Sequence, residues 1–438
     1  MGGLLPLCSP FSSLLNPRSA PYSAPVPLLI QPLALLLVRL AGSFDSSHYW
    51  IYKQHSASLA GMDHYHDDGQ QRSATGPLKG RGATYDPANR FAPTRSEQVD
   101  DGWWQEATPD RIATVTATES AKSALSWNRS PDLPFDRSIN PYRGCEHGCI
   151  YCYARPSHAY WDLSPGLDFE TRLIARTGLV ERLTAELCKP GYVCRPINLS
   201  GNTDAYQPIE AEHRTTRALL ERLLQWRHPV TLVTKSALIL RDKDLLSELA
   251  SRRLVRVMVS LTSLDTELKR QLEPRTASPR ARLRVIGELA DAGVPVGTLV
   301  SPVIPGLTDH ELERLLQAAR DAGASTAGWM LLRLPREVAP LFEAWLEAHY
   351  PERAGKVMSL IRQCRNGQDY DSRFGHRMRG QGVFAELLDQ RFRKACRRLG
   401  LSRRSDSGLD SGLDSGLDTD SELDTESFRA PHRQGTLF

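Results

Sequence analysis

From about residue 137 the chain alternates short apolar runs with stretches in which apolar residues recur every three to four positions. The runs Ile197–Ser200, Val230–Thr234, Val255–Leu261, Val294–Ser301 and Thr326–Leu334 predict buried strands. Between them, 175–188, 210–227, 242–252, 279–292 and 309–323 carry a helical period. In 210–227, for instance, Leu219, Leu220, Leu223 and Leu224 make one apolar stripe. Strand–helix units repeated at this length predict parallel strands with right-handed crossovers, hence an α/β barrel or an open sheet. Residues 337–400 read as mainly helical.

The flanks have a different texture. Residues 62–135 are rich in Gly, Pro, Ser, Thr and charge with little period, and predict an extended arm in which Trp103-Trp104 pin part of the segment to the body. Residues 403–438 are acidic and contain three tandem Ser-Gly-Leu-Asp units at 407–418, too short and polar to bury a core, so this tail is expected to be disordered. The apolar stretch Val26–Val38 is broken by Gln31 and Pro32 and is shorter than the ~20 residues that span a bilayer. The text after Met62 resembles an ordinary cytosolic N-terminus, so 1–61 is read as a leader outside the translated protein and the chain as cytoplasmic, without a membrane segment. The expected order is leader (1–61), arm (62–135), α/β core (136–336), helical basic region (337–402) and acidic tail (403–438).

Composition narrows the class. With 438 residues, 40% hydrophobic and 24% charged, the chain is neither fibrous nor wholly disordered, and its net charge of +4 implies no partner. The distribution is more telling: residues 351–404 hold 14 Lys and Arg against 5 acidic residues. Eight cysteines are too sparse for a disulfide scaffold. Three of them fall in Cys145-Glu146-His147-Gly148-Cys149-Ile150-Tyr151-Cys152. Three thiolates this close can wrap one compact inorganic centre, and thiolates suit iron–sulfur clusters and zinc alike. A structural zinc would want a fourth ligand. A four-iron cluster held at three corners keeps one iron open.

The C-x3-C-x2-C spacing, with the aromatic Tyr151 before the last Cys and α/β repeats after it, resembles the radical SAM superfamily over roughly residues 135–340. The resemblance implies a partial (β/α)6-type TIM barrel with a mainly helical basic extension. It implies a [4Fe–4S] cluster on Cys145, Cys149 and Cys152, with S-adenosylmethionine (SAM) on the open iron. It also implies reductive cleavage of SAM to a 5′-deoxyadenosyl radical, and an electron donor such as flavodoxin or ferredoxin. Within the superfamily the chain resembles the spore photoproduct lyase-like group. On that resemblance Thr203 and Asp204, in Leu199–Asp204, meet the methionine amino group. Lys235, in Thr234-Lys235-Ser236, clamps the SAM carboxylate. Ser260, with Thr262, contacts ribose or carboxylate, and Ser301–Gly306 carries the adenine. Glu273–Thr276 with Arg280 and Arg282 could meet an anion. One departure stands out: where the group keeps a hydrogen-donor Cys, this chain has Gly201, and Cys188 and Cys194 lie upstream.

Two further features point to partners. Arg373–Gly382 mixes Arg, Gly and Phe374 as nucleic-acid sites do, which makes Arg377 and Arg379 candidate phosphate contacts. The last residues, with Gln434, Leu437 and Phe438, resemble the peptide by which bacterial repair proteins dock on the sliding clamp. A different reading of the same features is a non-enzymatic adaptor for nucleic acid or the clamp, with zinc at the cysteine triplet.

Overall fold

A computed structural model describes residues 77–92, 112–403 and 423–430. The expected leader, Trp103-Trp104, the Ser-Gly-Leu-Asp units and the Gln434, Leu437, Phe438 motif lie outside the described residues.

The expected core is one sheet. In chain order its strands are β2 (Ser126–Trp127), β3 (Arg137–Ile139), β6 (Ile197–Leu199), β7 (Val230–Thr234), β8 (Val255–Ser260), β9 (Val296–Val303), β10 (Thr326–Leu331) and β11 (Ser402–Arg403), and they neighbour one another in that same order. Every pairing from β3 to β11 is parallel, and only β2 runs antiparallel, against β3. β2 and β11 stand at the two edges of the sheet and do not pair with each other among the described residues, so the barrel is partial. Val230 pairs with Val255 and Val257 with Val296, so the Val-rich runs stack in register and are buried.

The helices return the chain outside the sheet: α1 (Leu179–Leu187), α2 (Thr215–Gln225), α3 (Lys243–Ser251), α4 (Thr266–Leu272), α5 (Pro279–Asp291) and α6 (Leu312–Asp321). In α2, Leu219, Leu220 and Leu223 are fully buried, with Leu224 packed beside them. The Ser278 hydroxyl and Pro279 open α5, as capping chemistry prescribes. The C-terminal region is helical as expected, in α7 (Val338–His349), α8 (Pro351–Gln363) and α9 (Val383–Leu399). Buried residues of α7 and α8 share one apolar cluster with Cys149, Ile150, Tyr151 and Ala83.

Four expectations are corrected. Val115–Ser120, inside the expected arm, is a strand (β1) pairing in parallel with β5 (Arg172–Thr177), which also takes β4 (Tyr142–Arg143). Both faces of β1 are largely exposed, so its residues carry no apolar alternation to read. The helix expected from 175 begins only at Leu179, because residues 172–177 form the mostly buried β5 and Gly178 precedes the helix. The helix expected over 210–227 breaks at Arg214, where φ is +50°. The acidic tail is not wholly loose: residues 423–430 lie against the edge of the barrel where β6, β7 and β8 begin. The Asp424 amide donates to the Arg253 carbonyl (2.9 Å) and the Arg429 amide to the Trp226 carbonyl (2.8 Å). The Phe428 ring meets the His228 ring edge-on at 5.1 Å and Tyr192 at 5.7 Å. One aromatic in a polar tail gives no sequence signal, because its pocket is made by residues two hundred positions away.

Phe428→Ala should remove about 1 kcal/mol of this half-buried contact and accelerate amide exchange at Asp424 and Arg429 relative to the strands. Unaltered exchange at those two amides would show that Phe428 does not anchor the segment.

Candidate functional site

The thiol loop follows β4. Its turns are backbone-defined: the Cys145 amide donates to the Phe169 carbonyl (2.8 Å), Ile150 to Leu272 (3.1 Å) and Cys152 to Cys149 (3.2 Å). Cys145 and Cys149 are each 7% exposed and Cys152 is half-buried. Burial raises all three thiol pKa values, that of Cys149 to about 12, and neighbouring negative groups add to the rise at Cys145 and Cys149. Binding a metal centre must therefore displace protons from these sulfurs.

A strap the sequence reading left in the arm holds the loop from outside. The fully buried Glu170 carboxylate accepts from the amides of Gly82 (2.9 Å) and Ala83 (2.8 Å) and pairs with Arg155. Arg155 in turn donates through Nε to the Cys149 carbonyl (3.0 Å) and through Nη1 to the Gly166 carbonyl (2.8 Å). Arg81 reaches the Glu170 carbonyl (3.0 Å), the Ile112 carbonyl (2.6 Å) and the Thr114 hydroxyl (2.9 Å). The approach is so close that a Cβ at Gly82 would collide with the Gly148 carbonyl, and one at Gly148 would stand 2.6 Å from the Glu170 carboxylate. Further along, the Asp86 carboxylate accepts from the amides of Leu167 (2.5 Å) and Asp168 (3.3 Å). Arg90 pairs with Glu337 at 2.8 Å.

The inner wall comes from the C-terminal ends of the strands. Asp204, after β6, accepts from the Thr234 hydroxyl (2.8 Å), the Lys235 amide (2.8 Å) and the Tyr206 amide (2.9 Å), with His147 Nδ1 at 3.4 Å. It thus ties the end of β6 to the end of β7 within an Asx turn. The Thr203 hydroxyl is given to the Tyr142 carbonyl (3.0 Å). Lys235 ends β7 with Nζ 5.9 Å from the Tyr151 ring centroid. Burial pulls its pKa down, but the fields of Cys149, Glu273 and Asp204 outweigh this and hold it above the ordinary value.

Glu273, expected in a stretch that meets an anion, is instead itself the anion at the centre of a hub. Its carboxylate receives the Tyr151 phenol, the Thr262 hydroxyl (2.7 Å) and Arg282. Burial would raise its pKa, but Arg282 and Lys235 together with these hydrogen bonds hold it at about 2. Arg282 is therefore consumed inside the protein: it also donates to the Ser260 carbonyl (2.9 Å), whereas Arg280 is exposed on α5. The Ser260 hydroxyl donates to the Ser301 carbonyl (3.1 Å).

The structure thus gathers Tyr151, Thr203, Asp204, Lys235 and Ser260 with the three cysteines at one end of the sheet. Cys194 precedes β6, at the opposite end, and cannot stand in for the thiol absent at Gly201. The two arginines expected to meet phosphate are otherwise engaged. Arg377 is buried against Asp132 (2.6 Å), and Arg379 lies between Asp389 (3.5 Å) and the Trp329 ring.

Residues 139–319 match the family described as the Radical SAM superfamily. An uncharacterized protein of Mycobacterium tuberculosis is 37% identical over 247 residues, covering 55% of this chain and 72% of that one. The chain belongs to the radical SAM superfamily. A relative from Methanocaldococcus jannaschii is 28% identical over 232 residues, covering 53% of this chain and 82% of its own. Among solved structures, spore photoproduct lyase complexed with dinucleoside spore photoproduct aligns with a TM-score of 0.48 at 16% identity, over 66% of this chain and 81% of that one.

The cofactors of a radical SAM protein are a [4Fe–4S] cluster and SAM, and the chain is an enzyme of radical chemistry. Among the described residues no three His, Cys, Asp or Glu side chains close in on a single metal ion. The fit therefore rests on the donors: three soft thiols on a buried turn, with a lysine ammonium nearby to offset their charge. His147 is turned to Asp204.

The strap carries a pH signature. Burial and the neighbouring Asp168 raise the Asp86 carboxyl to about 7. The folded state holds this proton more tightly than the unfolded chain. Its stabilising effect is therefore complete below the ordinary carboxyl pKa and is lost as pH rises through 7. Asp86→Asn should gain on the order of 1 kcal/mol over wild type at pH 8 and little at pH 4, read by urea unfolding. An equal difference at both pH values would refute this.

Proposed function

We propose that Cys145, Cys149 and Cys152 ligate three irons of the cluster and that SAM is held at the fourth, beside Lys235. The observation that carries this reading is the buried thiol loop standing at the C-terminal ends of β6, β7 and β8, with a lysine ammonium in their midst. When bound, the cluster supplies one electron that splits SAM into methionine and a 5′-deoxyadenosyl radical. The chain's own residues bind and orient. Lys235 offers its ammonium to the SAM carboxylate. Glu273 fixes Tyr151 against the loop, and Asp204 and Thr203 brace the strand ends that frame the cofactor. Ser260 steadies the Ser301 segment on which adenine packs. The strap and the α7–α8 cluster keep water from the outer side of the loop, as a carbon radical requires.

The substrate enters at the open end of the barrel and is a nucleic acid. The resemblance to the spore photoproduct lyase-like group supports this, as do the local excess of basic residues over 351–404 and the exposed rings of Tyr153 and Phe374. The electron comes from a flavodoxin- or ferredoxin-like donor. No helix among the described residues is long and apolar enough to cross a membrane; the ordinary cytosolic texture of the chain after Met62 supports an enzyme of the cytoplasm.

Anaerobic reconstitution with iron and sulfide should load four irons per chain and, with a reductant, yield SAM-dependent 5′-deoxyadenosine. Cys149→Ala should abolish both. Lys235→Met should keep the iron but weaken SAM binding about tenfold to a hundredfold, the worth of a charge-assisted hydrogen bond. Stoichiometric zinc with no SAM cleavage would instead leave the adaptor reading.

A further inference from the structure

Two guanidinium groups near the open end of the barrel lack an anionic partner. Arg333, just past β10, donates from Nη2 to the Tyr370 phenol (3.2 Å) and directs Nη1 at the Met378 sulfur (3.6 Å). Its Nε is buried with no hydrogen-bond partner among the described residues. Arg365 is fully buried; Nη1 meets the His376 carbonyl (2.7 Å), Nη2 meets the Leu332 carbonyl (2.7 Å), and its Nε is likewise unpartnered. Neither pairs with a carboxylate among the described residues, whereas the buried Arg155, Arg282 and Arg377 face Glu170, Glu273 and Asp132. Burial, with the charge of Arg333 adding to it, lowers the Arg365 pKa to about 10 against the weaker opposing field of Asp371, a carboxylate already paired with Arg373.

The surroundings say what Arg333 is placed for. Its Cζ lies 5.1 Å from the ring centroid of Tyr153 and 5.9 Å from that of Tyr370. Tyr153 directly follows Cys152, is 43% exposed, and donates its phenol to the Gly201 carbonyl (2.6 Å) beyond the end of β6. The guanidinium is thus set between two phenol rings beside the thiol loop. A partly buried cation with no counter-charge is costly unless an anion arrives. A planar fork matches phosphate oxygens two at a time, and an adjacent exposed ring suits a base.

We propose that Arg333 is the seat of a substrate phosphate, and that Arg365 is a positioning residue that holds it in place by gripping the Leu332 carbonyl. The seat rests on the enzyme reading above only for the source of the phosphate, a nucleic-acid strand as opposed to a free ion.

The test uses the full reconstituted chain and a fluorescein-labelled single-stranded oligonucleotide read by anisotropy. Arg333→Gln should weaken binding about tenfold and reduce the salt slope by about one. Arg333→Lys should restore the slope but not the full affinity. Arg270→Gln, at an exposed site on α4, should change neither. Without ligand, Arg333→Gln should melt no lower than wild type, because it removes a charge that works against Arg365. Unchanged affinity and slope in Arg333→Gln would overturn the proposal, as would a loss of affinity accompanied by a lower ligand-free melting temperature. If wild type does not bind the strand, but inorganic phosphate raises the melting temperature of wild type and not of Arg333→Gln, the seat stands and the nucleic-acid reading falls. If neither ligand binds, the seat falls too.

Discussion

The arrangement depends on one buried carboxylate. Glu170 holds two strap amides, pairs with Arg155, and through Arg155 fixes the Cys149 carbonyl. A buried charge is tolerable only while its partners remain, and deleting one side of such a pair typically costs about 3–5 kcal/mol. The backbone path of the thiol loop is thus governed by a group that is neither a ligand nor in the loop. The near contact of Gly82 with Gly148 leaves no room for a looser fit.

On the inner side the same logic runs through charge. Glu273 and Asp204, joined by Cys149 once it gives up its proton, set a negative field that keeps Lys235 protonated despite its burial, and Arg282 helps keep Glu273 ionised. Three neighbouring strands supply the members: β6 leads into Asp204, β7 into Lys235, and β8 into Thr262 and, after α4, Glu273. Parallel pairing in register delivers these side chains to a common end of the sheet, so the chemistry follows from topology as much as from residue type.

What could be read from the chain alone was what is local. Val230–Thr234 declares itself by composition, Lys235 by ending it, and the three thiols by spacing. What could not be read depends on distant partners or on direction. Glu170 is 88 residues from the amide it captures, β1 pairs with β5 without an apolar pattern, and Phe428 finds its pocket beside Tyr192 and His228. Arg282 and Arg377 looked available for anions because charge in a sequence carries no sense of inside and outside. Their partners Glu273 and Asp132 settle the matter in three dimensions.

The strap also bears on where this enzyme can be cut. The family match opens at residue 139, and the composition break falls near 136, so a gene fragment trimmed to either point would look self-sufficient. It would forfeit Arg81, Gly82 and Ala83, and Glu170 would keep Arg155 while its two backbone donors were gone. The heritable unit of this catalyst is therefore longer than its recognisable motif: recombination that moved the barrel alone would carry the cysteines but not the brace that shapes them.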